Sequence, residues 1–240
     1  MNKYVFFDCW DTVISFKEKT KSWNTECLKR HCTNLSEVDF NQVEGLASEF
    51  LKQYYFSFNE YEITAKQFLT YLVLNSNIKL DCSIEHCTHD ILSHLCPDMV
   101  PGLDKLLSYL DDNCIYYAIL SNTIYDDQDT FDLVNKLVPN NHFRFFLGSA
   151  KIGVKKPNPL FFETGLKVAG AKSSEAIYIG DSYIADVLGS NRAKFSSSIW
   201  LNSKNKKKND YNFYSGFNQA SYFECHNYDE VTNLFKKKGI

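Results

Sequence analysis

The run Tyr4-Val5-Phe6-Phe7-Asp8-Cys9-Trp10-Asp11-Thr12-Val13 constrains the fold more than any other stretch. Four apolar residues lead into a carboxylate, a second carboxylate and a hydroxyl. A short apolar run of this kind reads as a buried strand of a parallel sheet. Such a strand ending on Asp delivers a charge to the carboxyl edge, where ligands of open α/β sheets bind. A buried carboxylate is expensive unless a cation or a chemical role accompanies it. The plain alternative is an Asx turn closing a strand, and the other strand ends decide between the two.

After Thr12 the period changes. From about Lys17 to Cys96 the apolar spacing is helical, with Gly45 the only glycine. Trp23, Cys27 and Leu28 share one face, and Val43, Leu46, Ala47, Phe50 and Leu51 another. Phe68, Leu69, Leu72 and Val73 form a third helix with Thr64 as N-cap, and a fourth runs from Ser83 to Leu95, before Pro97. Strand–helix alternation resumes after Val100-Pro101-Gly102. Strands are expected at 115–120, 143–147, 176–179, 197–201 and 222–224, with helices at 103–110, 130–137, 159–169, 184–192 and 228–237. The fold class is therefore α/β. A Rossmann-like parallel-sheet core (residues 1–14 and 99–240) carries an inserted α-helical cap (residues 15–98). The lysine-containing run 202–210 reads as a solvated loop.

The predicted strands bring Asp8, Ser121 and Asp181 to one edge, and Lys156 opens a helix after another strand. Turn chemistry alone does not account for acid, hydroxyl and acid on three separate strand ends. A phosphoryl group needs a cation, oxygen donors and an in-line nucleophile. Asp8, Asp181 and Asp186 offer hard oxygen ligands for Mg²⁺. Ser121 and Lys156 offer a hydroxyl and an ammonium, and a carboxylate can itself attack phosphorus.

In these motifs the chain resembles the haloacid dehalogenase superfamily of hydrolases. The first motif resembles Asp8 to Val13, the second Ser121-Asn122, the third Lys156 in its Lys-Pro-x-Pro loop, and the fourth Gly180-Asp181-Ser182-Tyr183-Ile184-Ala185-Asp186. The resemblance implies that Asp8 is nucleophile and metal ligand, and that the Trp10 backbone carbonyl and Asp181 complete the protein's share of a Mg²⁺ shell. Asp186 would orient metal-bound water or Lys156. Ser121 and Asn122 would bind the phosphoryl group together with Lys156, which also restrains Asp8. The expected partner is a small phosphorylated molecule, chosen by the cap.

One position departs from the pattern. Phosphatases of this superfamily carry a second Asp two residues after the nucleophile, where this chain has Trp10. Indole neither protonates a leaving oxygen nor activates water. The loss is worth roughly 10²- to 10⁴-fold, about 3 to 5 kcal/mol. Substrates with good leaving groups, such as acyl phosphates, aryl phosphates and phosphoanhydrides, suffer least. Asp11 resembles a turn residue more than a displaced acid. Two alternatives stay open: a 2-haloacid dehalogenase, which the aromatic at position 10 favours and the paired acids oppose, and a non-catalytic phosphate- or partner-binding protein. A zinc site from Cys82, His86, Cys87, His89, His94 and Cys96 matches no recognised spacing. Arg30 and Lys17 are the cations nearest the hinge and first helix, where a surface charge is the ordinary reading.

Composition narrows the rest. A net charge of −3 over 240 residues gives no electrostatic case for nucleic acid. The longest apolar runs fall short of a membrane span, and the first residues lead straight into a strand, so a cytoplasmic protein is expected. The eight cysteines then read as reduced small apolar side chains.

Overall fold

Val5 and Phe7 point to one side of a sheet and Phe6 to the other, and that alternation orders the layers of the molecule. The computed structural model describes residues 4–16, 23–55, 59–206 and 221–240. Strands β1 (Tyr4–Phe7) and β2 (Ile14–Ser15) precede helices α1 (Trp23–His31), α2 (Phe40–Phe50), α3 (Ala65–Asn75) and α4 (Ile84–Ser93). Then follow β3 (Asp98–Met99), α5 (Leu103–Asp112), β4 (Tyr116–Ser121), α6 (Asp127–Leu137), β5 (Phe146–Gly148), α7 (Ser149–Ile152) and α8 (Pro159–Ala169). The last elements are β6 (Ala176–Gly180), α9 (Gly189–Arg192), β7 (Ser197–Leu201), β8 (Phe223–Cys225) and α10 (Tyr228–Lys238).

Six strands form one parallel sheet in the order β5-β4-β1-β6-β7-β8, with β1 hydrogen-bonded on both sides, to β4 and to β6. Val5 and Phe7 pack under α5, α6 and α10 against Leu106, Leu110, Val134 and Phe235. Phe6 packs on the other face against Phe161 and Phe162 of α8. Each of these fully buried rings contributes roughly 1.5 to 3 kcal/mol. The helices α1 to α4 bury a cluster of their own around Leu28, Phe68, Leu72 and Ile91, into which Ile124 from the loop after β4 inserts.

Several boundaries differ from expectation. The fifth strand begins at Phe146 rather than Phe143 and ends on Gly148. Helix α6 starts at Asp127, because Asp126 caps it by accepting from the Gln128 and Asp129 N–H groups. The helix expected at 184–192 is a π-type turn, Tyr183–Leu188, followed by the short α9. A two-residue antiparallel ladder, β2 with β3, joins the two chain crossings between sheet and insert, with Ile14 opposite Met99. Two-residue strands leave no periodicity to read. The insert also touches the core at its middle: Lys155 N–H donates to the Glu60 carbonyl at 2.8 Å, Glu62 N–H to Gly153 at 3.0 Å and Ala65 N–H to Ile124 at 2.6 Å.

The start of α3 shows how locally the insert is specified. The Thr64 hydroxyl accepts the Gln67 N–H at 3.1 Å, and the Gln67 side chain accepts the Thr64 N–H at 2.9 Å, a reciprocal capping box. Thr64→Ala is expected to destabilise the protein by about 1 kcal/mol, read as a lower urea midpoint with an unchanged slope.

Candidate active site

The carboxyl ends of β1, β4 and β6 converge on one ammonium. Lys156 Nζ lies 2.7 Å from Asp8 Oδ1, 2.7 Å from Asp186 Oδ1 and 2.9 Å from the Tyr178 hydroxyl. Lys156 is 3% exposed, Asp8 8% and Asp186 1%. Ser121 Oγ donates to Asp8 Oδ1 at 3.1 Å. Asp8 is held by its own backbone, whose N–H donates to Ile179 at 2.9 Å. The chain then coils tightly, with Val13 and Ile14 N–H both reaching the Cys9 carbonyl. The turn puts Asp11 at φ 59°, in the left-handed region.

Lys156 is positioned from two directions. The Asn122 carboxamide accepts the Lys156 N–H at 2.8 Å and donates to the Lys156 carbonyl at 3.0 Å. Both polar ends of the Asn122 side chain are thus bonded to the Lys156 backbone, which sets it to position the lysine loop. The Lys156–Pro157 peptide bond is cis. Tyr178, which sequence reasoning missed, donates its hydroxyl to the Leu120 carbonyl at 2.7 Å while accepting from Lys156. Its ring is fixed edge-on by Phe162 and Phe195. A tyrosine inside a buried strand carries the same apolar signal as its neighbours Ile177 and Ile179, so pattern alone could not single it out.

Asp186 folds back over Gly180. Its Oδ2 accepts the Ser182 N–H at 2.8 Å, and a Cβ added at Gly180 would stand 2.2 Å from Asp186 Cγ. This close approach explains the Gly-Asp pair at the end of β6. Asp181 turns the other way, toward Lys206 Nζ at 2.6 Å, while the Trp200 indole donates to its carbonyl at 2.9 Å. Lys204 pairs with Asp11 at 2.5 Å. The stretch expected as a solvated loop is exposed at Ser203, Lys204 and Asn205, and its Lys204 and Lys206 in addition answer carboxylates distant in sequence; Lys207 and Lys208 lie outside the described residues.

Burial pushes the Asp181 carboxyl above its ordinary range, Asp8 adds to the rise, and Lys206 opposes it. Burial likewise raises Asp186, with Lys156 pulling back and Asp8 and Asp181 pushing further. Burial works against the charge on Lys156, yet Asp186 and Asp8 hold its pKa well above the usual lysine value. Oxygens of Asp8, Asp181 and Asp186 lie within 4.8 Å of one another. Two buried carboxylates and a half-buried one at that separation repel, and an all-oxygen donor set of this kind fits a hard divalent cation.

The remaining candidates separate. Trp10 presents an indole stacked on Phe16, with centroids 5.8 Å apart and planes 9° apart. Arg30 is paired with Asp90, and Lys17 lies outside the described residues. Of the side chains weighed for zinc, His89 pairs with Asp129 and His94 with Asp90. Cys82 Sγ lies 3.5 Å from Cys87 Sγ, and among the described residues Cys82 and His86 are joined by His31 from α1 at distances that could hold a metal ion. His31 stands some fifty residues away in sequence, so spacing within α4 could not reveal it.

With sheet and site in view, the chain is placed by comparison. Residues 6–199 match the haloacid dehalogenase-like hydrolase family, and the chain belongs to it. A glyceraldehyde 3-phosphate phosphatase of Pyrococcus furiosus is 24% identical over 199 residues, covering 83% of this chain and 80% of that protein. The structure of a 2-haloacid dehalogenase from Pseudomonas syringae superimposes with a TM-score of 0.64 at 18% identity, covering 99% of this chain and all of the other. A hydrolase of Bacillus subtilis, solved bound to magnesium, gives 0.64 at 16% identity over 98% and 99%. The structural likenesses establish the fold, a Rossmann-like sheet with flanking helices.

Gly180→Ala is expected to displace Asp186 and destabilise the protein by about 1 to 3 kcal/mol through overpacking, measured as a lower midpoint of urea unfolding.

Proposed function

We propose that the protein is a Mg²⁺-dependent phosphatase that transfers a phosphoryl group to Asp8 from a small phosphorylated substrate with a good leaving group. The observation that carries this reading is the convergence of Lys156 Nζ and Ser121 Oγ on Asp8 Oδ1 at the edge of the sheet. Residues 15–98 act as the cap.

Asp8 attacks phosphorus, and the P–O bond to the leaving group breaks with its electron pair on the departing oxygen. Lys156 and Ser121 supply an ammonium and a hydroxyl to the phosphoryl oxygens. Asp186 and Tyr178 keep the ammonium in place as charge shifts. Asp8, Asp181 and the Trp10 carbonyl would hold Mg²⁺, with Asp186 behind them. The cation supplies positive charge against the phosphoryl oxygens. Water then attacks the aspartyl-phosphate and regenerates Asp8. Because position 10 carries no acid, leaving groups of low pKa are favoured. The phosphatase relative supports the reaction type, and the glyceraldehyde 3-phosphate in its name belongs to that protein.

Acetyl phosphate with Mg²⁺ is expected to release phosphate steadily, and Asp8→Asn is expected to abolish the release. Activity surviving in that variant would exclude Asp8 as nucleophile. Chloride release from 2-chloropropionate without magnesium would instead indicate attack on carbon, the reading that Trp10 favours. Lys206 occupies Asp181 at 2.6 Å, so Lys206→Met is expected to tighten Mg²⁺ binding by about fivefold in calorimetric titration, the equivalent of about 1 kcal/mol for a partly exposed pair.

A further inference from the structure

Between the insert and the sheet edge, at residues close in sequence to Asp8 and Ser121, the lining of the molecule turns apolar. Trp10, Phe16, Trp23, Leu51, Leu95 and Ile124 bound a cavity of about 240 Å³, and none of the described side chains lining it is charged. Its walls belong to both parts of the molecule. Trp10 stands two residues beyond Asp8 and Ile124 three beyond Ser121, while Trp23, Leu51 and Leu95 come from the insert. One wall is a row of rings. Trp10 and Phe16 lie parallel at 5.8 Å, and Phe16 meets Trp23 at 6.3 Å with 33° between their planes.

We propose that this cavity receives the ring of an aryl phosphate, so that Asp8 works on a phosphate borne by a phenolic oxygen; the inference rests on the phosphatase reading above. Two independent features meet in this substrate class. The first is the lining. Thr123 and Tyr125 also line the cavity, but a polyhydroxylated sugar has more hydroxyls than these two can answer and would bury the rest against indole, phenyl and aliphatic groups, losing about 1 to 3 kcal/mol for each group left unpaired. A flat ring instead gains burial and about 0.5 to 1.5 kcal/mol from ring–ring contact. The volume lies just under the roughly 300 to 1,000 Å³ of drug-sized ligand sites, which suits one or two fused rings.

The second feature is the missing acid. A phenol has a pKa of about 10, as in tyrosine, whereas water stands at about 15.7. A phenolate therefore departs with far less help from a proton donor than an alkoxide does. Trp10 serves both ends: the residue that removes the acid also provides the ring wall. In the reaction the aryl O–P bond breaks with its electrons on the phenolate, the Asp8 O–P bond forms, and the phenolate takes its proton from solvent. Water then cleaves the aspartyl-phosphate to inorganic phosphate and Asp8.

The test compares phenyl phosphate and 2-naphthyl phosphate with glucose 6-phosphate and acetyl phosphate at saturating Mg²⁺, in the wild type and in Trp23→Ala and Phe16→Ala. The aryl esters are expected to exceed glucose 6-phosphate in kcat/KM by at least about tenfold. Each variant is expected to lower kcat/KM for 2-naphthyl phosphate by about fivefold, largely through KM, and to leave acetyl phosphate within about twofold. The wild-type comparison stands even where a variant fails to fold. If Asp8-dependent turnover of acetyl phosphate is present but the aryl esters are no better than glucose 6-phosphate, the inference falls and the phosphatase reading survives. Equal losses on all substrates in variants that keep the wild-type urea midpoint also overturn the inference. Absence of turnover with all four compounds overturns both.

Discussion

The placement of one buried ammonium governs the rest of the site. Lys156 is enclosed by Asp8, Asp186 and Tyr178, and withdrawing any one partner leaves charge in a region where solvent cannot answer it. Breaking a buried pair of this kind is worth about 3 to 5 kcal/mol. The surrounding structure is arranged to keep the ammonium in place: Asn122 grips the backbone of its loop, Leu120 fixes the tyrosine hydroxyl, and Gly180 leaves room for Asp186 to lean over. These supports come from β4, β6 and the loop before α8, so the centre of the sheet and the chemistry of its edge are specified together.

Around this network the charges are unevenly balanced. Asp8 and Asp186 share Lys156, whereas Asp181 depends on Lys206, a residue of a loop after β7. The first pairing is deep and three-sided. The second is partly exposed and made by a long flexible side chain, which makes Asp181 the carboxylate most easily released to another cation. The same loop holds Asp11 through Lys204. A side chain already paired at the surface of a left-handed turn is poorly disposed to stand in for the acid absent at position 10.

Strand ends made much of this arrangement legible in advance. Asp8, Ser121 and Asp181 each close an apolar run, and period alone carries such residues to a common edge. Lys156 was legible from its proline-flanked loop, and the four helices of the insert from their apolar spacing. What escaped was of two kinds. Tyr178 is polar only at its tip and sits in a strand that reads as uniformly apolar. Lys204, Lys206 and His31 act across long stretches of chain, where no local pattern records a contact. The ring wall of Trp10, Phe16 and Trp23 lay between these cases, since each ring was visible but their stacking arises only once the insert is folded.

The contacts of residues 60–65 bear on how the molecule can move. The insert is joined to the sheet at the β2–β3 ladder, and again at its middle, where main-chain bonds reach the Gly153–Lys155 loop and Ile124, and Arg192 pairs with Glu60. A swing about the ladder alone would pull on the segment that carries Lys156. The backbone that ties down the middle of the insert thus runs directly into the residue that carries the ammonium, so the placing of the insert and the placing of that charge share one stretch of chain.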